Sequence, residues 1–227
     1  MKQKIFGLVG RNIGYSFSKK YFTEKFQKQE LKNFRYENFD MQSIEELPVV
    51  IGNTKGLRGL NVTIPYKEEV IPLLSKLSKT ARIIGAVNTI AITKKGLKGY
   101  NTDHYGFKKA LKPLLKEHHQ RALILGTGGA SKAVAYALRS LQIDYDFVSR
   151  NATDTIYSYD QLDEAIFGEY QIIINTTPLG TFPDTDECPP ISYRYFTEKH
   201  IAFDLVYNPE NTKFMQLAKA HGAVVKN

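Results

Sequence analysis

The run RALILGTGGASKAVAYALRSL, residues 121–141, constrains the fold more than any other stretch of the chain. An apolar strand meets a glycine turn, and a helix starts inside that turn. Beyond it Ala133, Val134, Ala137, Leu138 and Leu141 recur at helical spacing and share one face. Strand, glycine turn, helix, strand is the opening of a parallel α/β unit that binds a nucleotide. Glycine lets the backbone turn tightly and approach a pyrophosphate, whose charge is stabilised by free N–H groups at the helix start. Gly126, Thr127, Gly128, Gly129 and Ala130 are therefore read as cofactor-binding, with Ser131 standing where a third glycine is usual.

The rest of the chain alternates in the same way. Downstream come the strand DYDFVS, the strand QIIINTT, the strand HIAFDLVY, a helix near TKFMQLAKAHG and the strand AVVKN. Upstream the strands are KIFGLVG, FRYENFD, GLNVTI and AVNTIAIT, with helices near SKKYFTEKFQKQ and MQSIEELPVVI and a third expected after Pro65. NTIAITKKGLKGYNTD reads as a hairpin turning at Lys94 to Gly96. The expectation is an α/β protein of two domains. An N-terminal α/β substrate domain covers 1–102, and a Rossmann-like NADP-binding domain with a parallel sheet covers 103–227.

The second strand of the nucleotide unit decides between cofactors. An NAD site wants an acid at that strand's end to hold the ribose 2′-hydroxyl. Here the end reads DFVSRN: Asp144 and Asp146 come too early, and Ser149 and Arg150 stand in place. A guanidinium suits the 2′-phosphate of NADP.

Composition removes other classes. A net charge of +8 could draw nucleic acid, but the lysines and arginines are scattered and carry no nucleic-acid motif, so small anions are the expected partners. The five histidines, at 104, 118, 119, 200 and 221, lack metal-ligand spacing, and no metal is expected. A single cysteine, Cys188 in DTDECPPIS, forms no internal disulfide and fits a reducing cytoplasm. No apolar run reaches membrane-spanning length. The N-terminal MKQKIFGLVG, broken by Gly7 and Gly10, reads as a strand and not a signal peptide.

One residue fits none of this. In GLRGLNVTIPYKEEV, residues 56–70, the strand ends at Pro65, and Glu68 and Glu69 belong in the first turn of a helix there. Lys67 sits at the positive end of that expected helix, where a cation is misplaced. Taken with its neighbours, the lysine acquires a reason. Ser16-Phe17-Ser18, NVTIPYKE at 61–68, GAVNTI at 85–90, GYNTD at 99–103, GTGGAS at 126–131, SRN at 149–151, INTTPLG at 174–180 and DLVYNP at 204–209 occur in one order. Together they resemble the shikimate dehydrogenase family, enzymes that reduce 3-dehydroshikimate to shikimate with NADPH in aromatic amino acid biosynthesis.

The resemblance implies roles. Lys67 and Asp103 become the catalytic pair, the ammonium supplying a proton and charge stabilisation as the ketone is reduced. Ser16 and Ser18 offer hydroxyls to the substrate carboxylate. Thr63, Asn88 and Asp103 meet ring hydroxyls, Tyr207 lies near the carboxylate, and Leu205 contacts the cofactor. The partners implied are shikimate and 3-dehydroshikimate, on a monomer or a homodimer.

There are departures. Family members often carry a second basic residue four places after the arginine, and here that place is Asp154. His104 follows NTD where glycine is frequent, a neighbour able to tune the aspartate. NTTPLG replaces the commoner NATSxG. The family's helices that return to the substrate domain with a glutamine come after the last strand, and this sequence ends at Asn227 before that segment. Two competitors stand beside this reading: a quinate/shikimate dehydrogenase with relaxed cofactor use, which shares the fold and the lysine–aspartate pair, and a non-catalytic NADP- or metabolite-binding regulator, against which Lys67 and Asp103 both argue. Steeply salt-dependent DNA binding would mark a third class.

Overall fold

The computed structural model describes residues 2–14 and 16–227, and the chain divides into two units, 1–102 and 103–227. No helix among the described residues is long and apolar enough to cross a membrane.

The first unit is built on a mixed sheet. β1 (Lys4–Gly10) and β2 (Phe34–Asp40) pair in parallel, with α1 (Ser18–Lys28) between them in sequence. After α2 (Leu47–Asn53), β3 (Leu57–Val62) joins the other side of β1, also in parallel. β4 (Lys76–Leu77) forms the far edge. The short helix α3 (Lys79–Ile84) is capped by Ser78, whose Oγ accepts the Ala81 N–H at 3.1 Å, and Gly85 ends it at φ +73°. β5 (Thr89–Thr93) and β6 (Gly96–Tyr100) make the expected hairpin and run antiparallel, giving the order β2-β1-β3-β5-β6-β4.

Alternation along β1 puts Leu8 on one face and Val9 on the other, each in a different core. Val9, Leu60, Val62, Tyr66, Val70, Val87 and Ile90 form the larger core. Each such fully buried aliphatic side chain contributes about 2 kcal/mol. On the opposite face α1 buries no residue completely. It is held by Phe22, stacked on Tyr36 with ring centroids 4.4 Å apart, and by Phe26, edge-on to Phe34.

The second unit is fully parallel. After α4 (Asp103–Leu111), its elements are β7 (Arg121–Leu125), α5 (Gly129–Arg139), β8 (Asp144–Val148) and β9 (Ile156–Tyr157). Then follow α6 (Glu164–Glu169), β10 (Ile172–Asn175), β11 (Ile201–Asp204), α7 (Lys213–Ala220) and β12 (Val224–Lys226). The order β12-β11-β10-β7-β8-β9 starts in the middle, runs out to β9, returns to β10 and runs out the other way. It is the doubly wound dinucleotide-binding order, with its switch point between β7 and β10. Ile172, Ile173 and Ile174 are all completely buried, as a strand covered by helices on both faces requires.

At the N-terminal edge of this sheet two imidazoles act as turn pegs. The Lys116 N–H donates to His119 Nδ1 at 2.8 Å, so the ring proton is on Nε2, which donates to the Lys199 carbonyl at 3.0 Å. His200 repeats the device, accepting from the Thr197 N–H and donating to the Phe167 carbonyl, both at 3.0 Å. Burial holds both rings below the usual histidine range.

Candidate functional site

In the first unit Thr63 and Asn88, two of the expected substrate residues, lie where β1 and β3 end. The Thr63 N–H donates to the Val9 carbonyl at 2.9 Å, and the Val62 N–H donates to the Asn88 carbonyl at 2.8 Å. Asn88 is buried: its Nδ2 donates to Thr102 Oγ1 at 2.8 Å, and its Oδ1 accepts the Thr102 N–H at 2.9 Å. Asn88 thus fixes the residue immediately before Asp103.

Lys67 is reached differently from the expectation. No α-helix follows Pro65. Residues 64–70 form successive turns, with the Tyr66 N–H on the Thr63 carbonyl and the Val70 N–H on the Tyr66 carbonyl, both at 3.0 Å. Only a 3-10 turn, Ile71–Leu73, comes after them. The reason lies in the two prolines: Pro65 and Pro72 leave space for little more than one turn, and the residue before a proline resists the α conformation. Tyr66 is drawn wholly into the core, where its hydroxyl donates to the Met41 carbonyl at 2.6 Å. The next residue, Lys67, is half-buried, and its carbonyl accepts the Val87 N–H at 2.7 Å. A helix dipole therefore does not act on Lys67, and Glu68 and Glu69 are not first-turn acids.

Ser16 and Ser18 stand at the start of α1, both half-buried, with Ser16 Oγ accepting the Ser18 N–H at 3.2 Å. Ser16 also lines, with Lys19, Lys20 and Asn38, an open depression of about 470 Å³. Its charge is mixed, because Glu24 lines it as well and Lys19 is ion-paired with Glu37 at 2.7 Å.

In the second unit Asp103 is the first residue of α4, a place that favours a carboxylate. His104 lies edge-on to Tyr136 with ring centroids 5.2 Å apart. The glycine turn sits at the switch point. Gly126 has φ +105°, and a Cβ there would meet Thr176 Oγ1 at 2.9 Å, so only glycine passes between the ends of β7 and β10. Gly128 caps α5 with no side-chain hydrogen bond, and a Cβ added to it would meet nothing within 4 Å. The α5 N-terminus thus presents uncapped N–H groups beside open space, as an anion site needs. Ser131 is completely buried, its Oγ donating to the Gly128 carbonyl at 2.6 Å, so it locks the turn from within. At the end of β8 the Ser149 N–H is tied to the Tyr157 carbonyl at 2.8 Å, and Arg150 is exposed. Leu205 is half-buried, and Tyr207 is 59% exposed.

Sequence reading missed the buried polar group beside Leu205. Asn175 and Asp204, the last residues of β10 and β11, are register partners joined by a hydrogen bond of 3.0 Å. Asp204 Oδ1 also accepts the Val206 N–H at 2.9 Å, and Oδ2 accepts Thr212 Oγ1–H at 2.6 Å. Burial pushes the Asp204 carboxyl up to about 6, against the lowering effect of those donors. The signal was visible: polar residues closing two otherwise apolar strands.

Residues 8–90 match the family model described as the shikimate dehydrogenase substrate binding domain. The NADP(+)-type shikimate dehydrogenase of Crocosphaera subtropica is 35% identical over 99% of this chain and 85% of its own length. The chain belongs to the shikimate dehydrogenase family. Solved structures agree. A shikimate dehydrogenase crystallised with NADP+ matches 99% of the chain and 84% of its own, at 32% identity and a TM-score of 0.84. The Thermus thermophilus member of the family, crystallised with NADP(H) and shikimate, matches 98% of the chain and 86% of its own, at 31% identity and a TM-score of 0.83.

Proposed function

We propose that this chain is an NADP-dependent oxidoreductase that interconverts 3-dehydroshikimate and shikimate. The observation that carries the reading is identity of 35% across nearly the whole chain to an NADP(+)-type shikimate dehydrogenase, with the family's motifs at both functional edges. In this reading 1–102 is the substrate domain and 103–227 the NADP domain.

Gly126, Thr127, Gly128, Gly129 and Ala130 hold the pyrophosphate, a role that the open space at Gly128 supports. Ser149 and Arg150 take the 2′-phosphate, and Leu205 packs on the nicotinamide end. When bound, the reduced cofactor supplies hydride to the substrate carbon. Lys67 gives a proton to the carbonyl oxygen and, as a neutral amine, takes it back in the reverse direction. Asp103 orients the lysine and accepts a hydrogen bond from a substrate hydroxyl. Ser16, Ser18 and Tyr207 grip the carboxylate, and Thr63 and Asn88 meet ring hydroxyls. Fixing the ring at several points is what turns weak hydrogen bonds into reaction geometry.

The test is the absorbance of reduced nicotinamide with shikimate or quinate, each paired with NADP+ or NAD+. Rapid signal confined to shikimate with NADP+ is expected. Equal signal with quinate or NAD+ moves the chain to the broader quinate/shikimate type, and silence in all four pairings removes the activity.

A further inference from the structure

Asp204 is a costly residue. A buried carboxylate loses hydration worth several kcal/mol unless donors replace it. Asp204 is 1% exposed, Asn175 and Thr212 are 0% exposed, and all three belong to one hydrogen-bonded group. A hydrophobic triplet would stabilise the unit as well, so the question is what the polar group adds.

Its bonds point to an answer. Asn175 Oδ1 accepts from both the N–H and the hydroxyl of Thr177, at 3.0 and 2.6 Å, and so shapes the loop after β10. Asp204 accepts the Val206 N–H and so shapes the loop after β11. Its other oxygen takes the hydroxyl of Thr212, which itself caps α7 by accepting the Met215 N–H at 3.3 Å. The loops are also stitched directly, the Leu205 N–H to the Asn175 carbonyl and the Phe182 N–H to the Asn208 carbonyl, both at 3.0 Å. Only a carboxylate can accept at once from a backbone N–H, a carboxamide and a hydroxyl in this arrangement.

We propose that Asp204, with Asn175, is a positioning residue for the reaction: the pair fixes the loops 176–180 and 205–212 and so presents Leu205 and Tyr207. The inference rests on the reading above, in which those two residues meet cofactor and substrate. Arg150 depends on another bond, from Ser149 N–H to the Tyr157 carbonyl, and the glycine turn, although Gly126 lies against Thr176 and Thr177, has its own bond from Gly126 N–H to the Val148 carbonyl. Loss of Asp204 therefore separates the two ends of the cofactor site.

The experiment compares the full-length wild type with Asp204→Ala, Asp204→Asn, Thr212→Val and Tyr207→Phe. It measures kcat and KM for shikimate, and the Kd of adenosine 2′,5′-bisphosphate, a probe of the phosphate end alone. In Asp204→Ala, kcat/KM is expected to fall about thirtyfold while the probe's Kd stays within about twofold. Asp204→Asn, which keeps an acceptor oxygen and can donate to the Thr212 hydroxyl, recovers to within about fivefold of wild type. Thr212→Val shifts kcat/KM in the same direction by a smaller factor and carries the test if Asp204→Ala does not fold. An unchanged kcat/KM in Asp204→Ala, or equal losses in kcat/KM and probe binding, overturns the inference. Impaired Asp204→Ala beside normal Tyr207→Phe keeps the positioning role and removes Tyr207 from the site. A wild type silent with shikimate speaks against the activity, whereas an Asp204→Ala protein as fast as an active wild type speaks only against the inference.

Discussion

The two units build their functional edges by different means. In the second unit every strand is parallel, each loop at the C-terminal edge leads toward a helix or the next strand, and the glycine turn falls where the strand order reverses. In the first unit the sheet is mixed, and Lys67 is held by tight turns and one long-range backbone bond to Val87. A regular winding exposes helix N–H groups at the switch point by geometry alone. An irregular one must fix each side chain by its own bonds, as Asn88 does for Thr102.

Three substitutions can break or sharpen that contrast. The largest effect is expected from Lys67→Ala. Removing a general acid costs about a thousandfold in kcat, while NADP+ binds as before, because the nucleotide turn lies in the other unit. Wild-type turnover in that variant would show that the irregular edge does not carry the chemistry.

The second concerns stability against pH. Asp204 is pushed up from 3.8 to about 6, so its protonated form is favoured by folding. The stabilisation is complete below pH 3.8 and lost as pH rises through 6, a change of about 3 kcal/mol. His119 and His200, held below their usual range, act in the opposite sense, stabilising above pH 6.5 and losing that as pH falls. Urea unfolding of Asp204→Asn between about pH 4 and pH 6.5 should therefore show stability rising more steeply with pH than in wild type. Parallel curves would mean that the carboxylate is not strained by its burial.

The smallest effect belongs to Arg150→Ala. Losing one exposed guanidinium should weaken NADP+ about tenfold and leave NAD+ unchanged. Isothermal titration with both cofactors decides it, and equal losses for the two would detach Arg150 from the 2′-phosphate.

The sequence made the second unit legible because its physics is repetitive. Ala133, Val134, Ala137 and Leu138 are buried as their spacing requires, and β7, β8, β10, β11 and β12 lie within the expected segments. Short elements escaped notice, among them β4, α3, β9 and α6, since two to six residues carry too little periodicity to read. The helix after Pro65 failed for a stronger reason. Helix-start signals at Pro65, Glu68 and Glu69 are local, whereas burial of Tyr66 against Met41 and the brake at Pro72 are decided by the fold. Asp204 was passed over within DLVYNP because a carboxylate in a strand looks like surface until its three donors, from residues 175, 206 and 212, are seen together.

The slender attachment of α1 has a consequence for affinity. The helix carries Ser18 at its first turn, yet it buries no residue completely and is held to the sheet by aromatic rings and the exposed Lys19–Glu37 ion pair, so its amide hydrogens should exchange sooner than those of β1 beneath it. A ligand gripping Ser18 binds only the closed helix, and its apparent dissociation constant is the intrinsic one divided by the fraction of molecules in which α1 is docked. Strengthening the contact of Phe22 with Tyr36 would tighten binding without adding a single bond to the ligand.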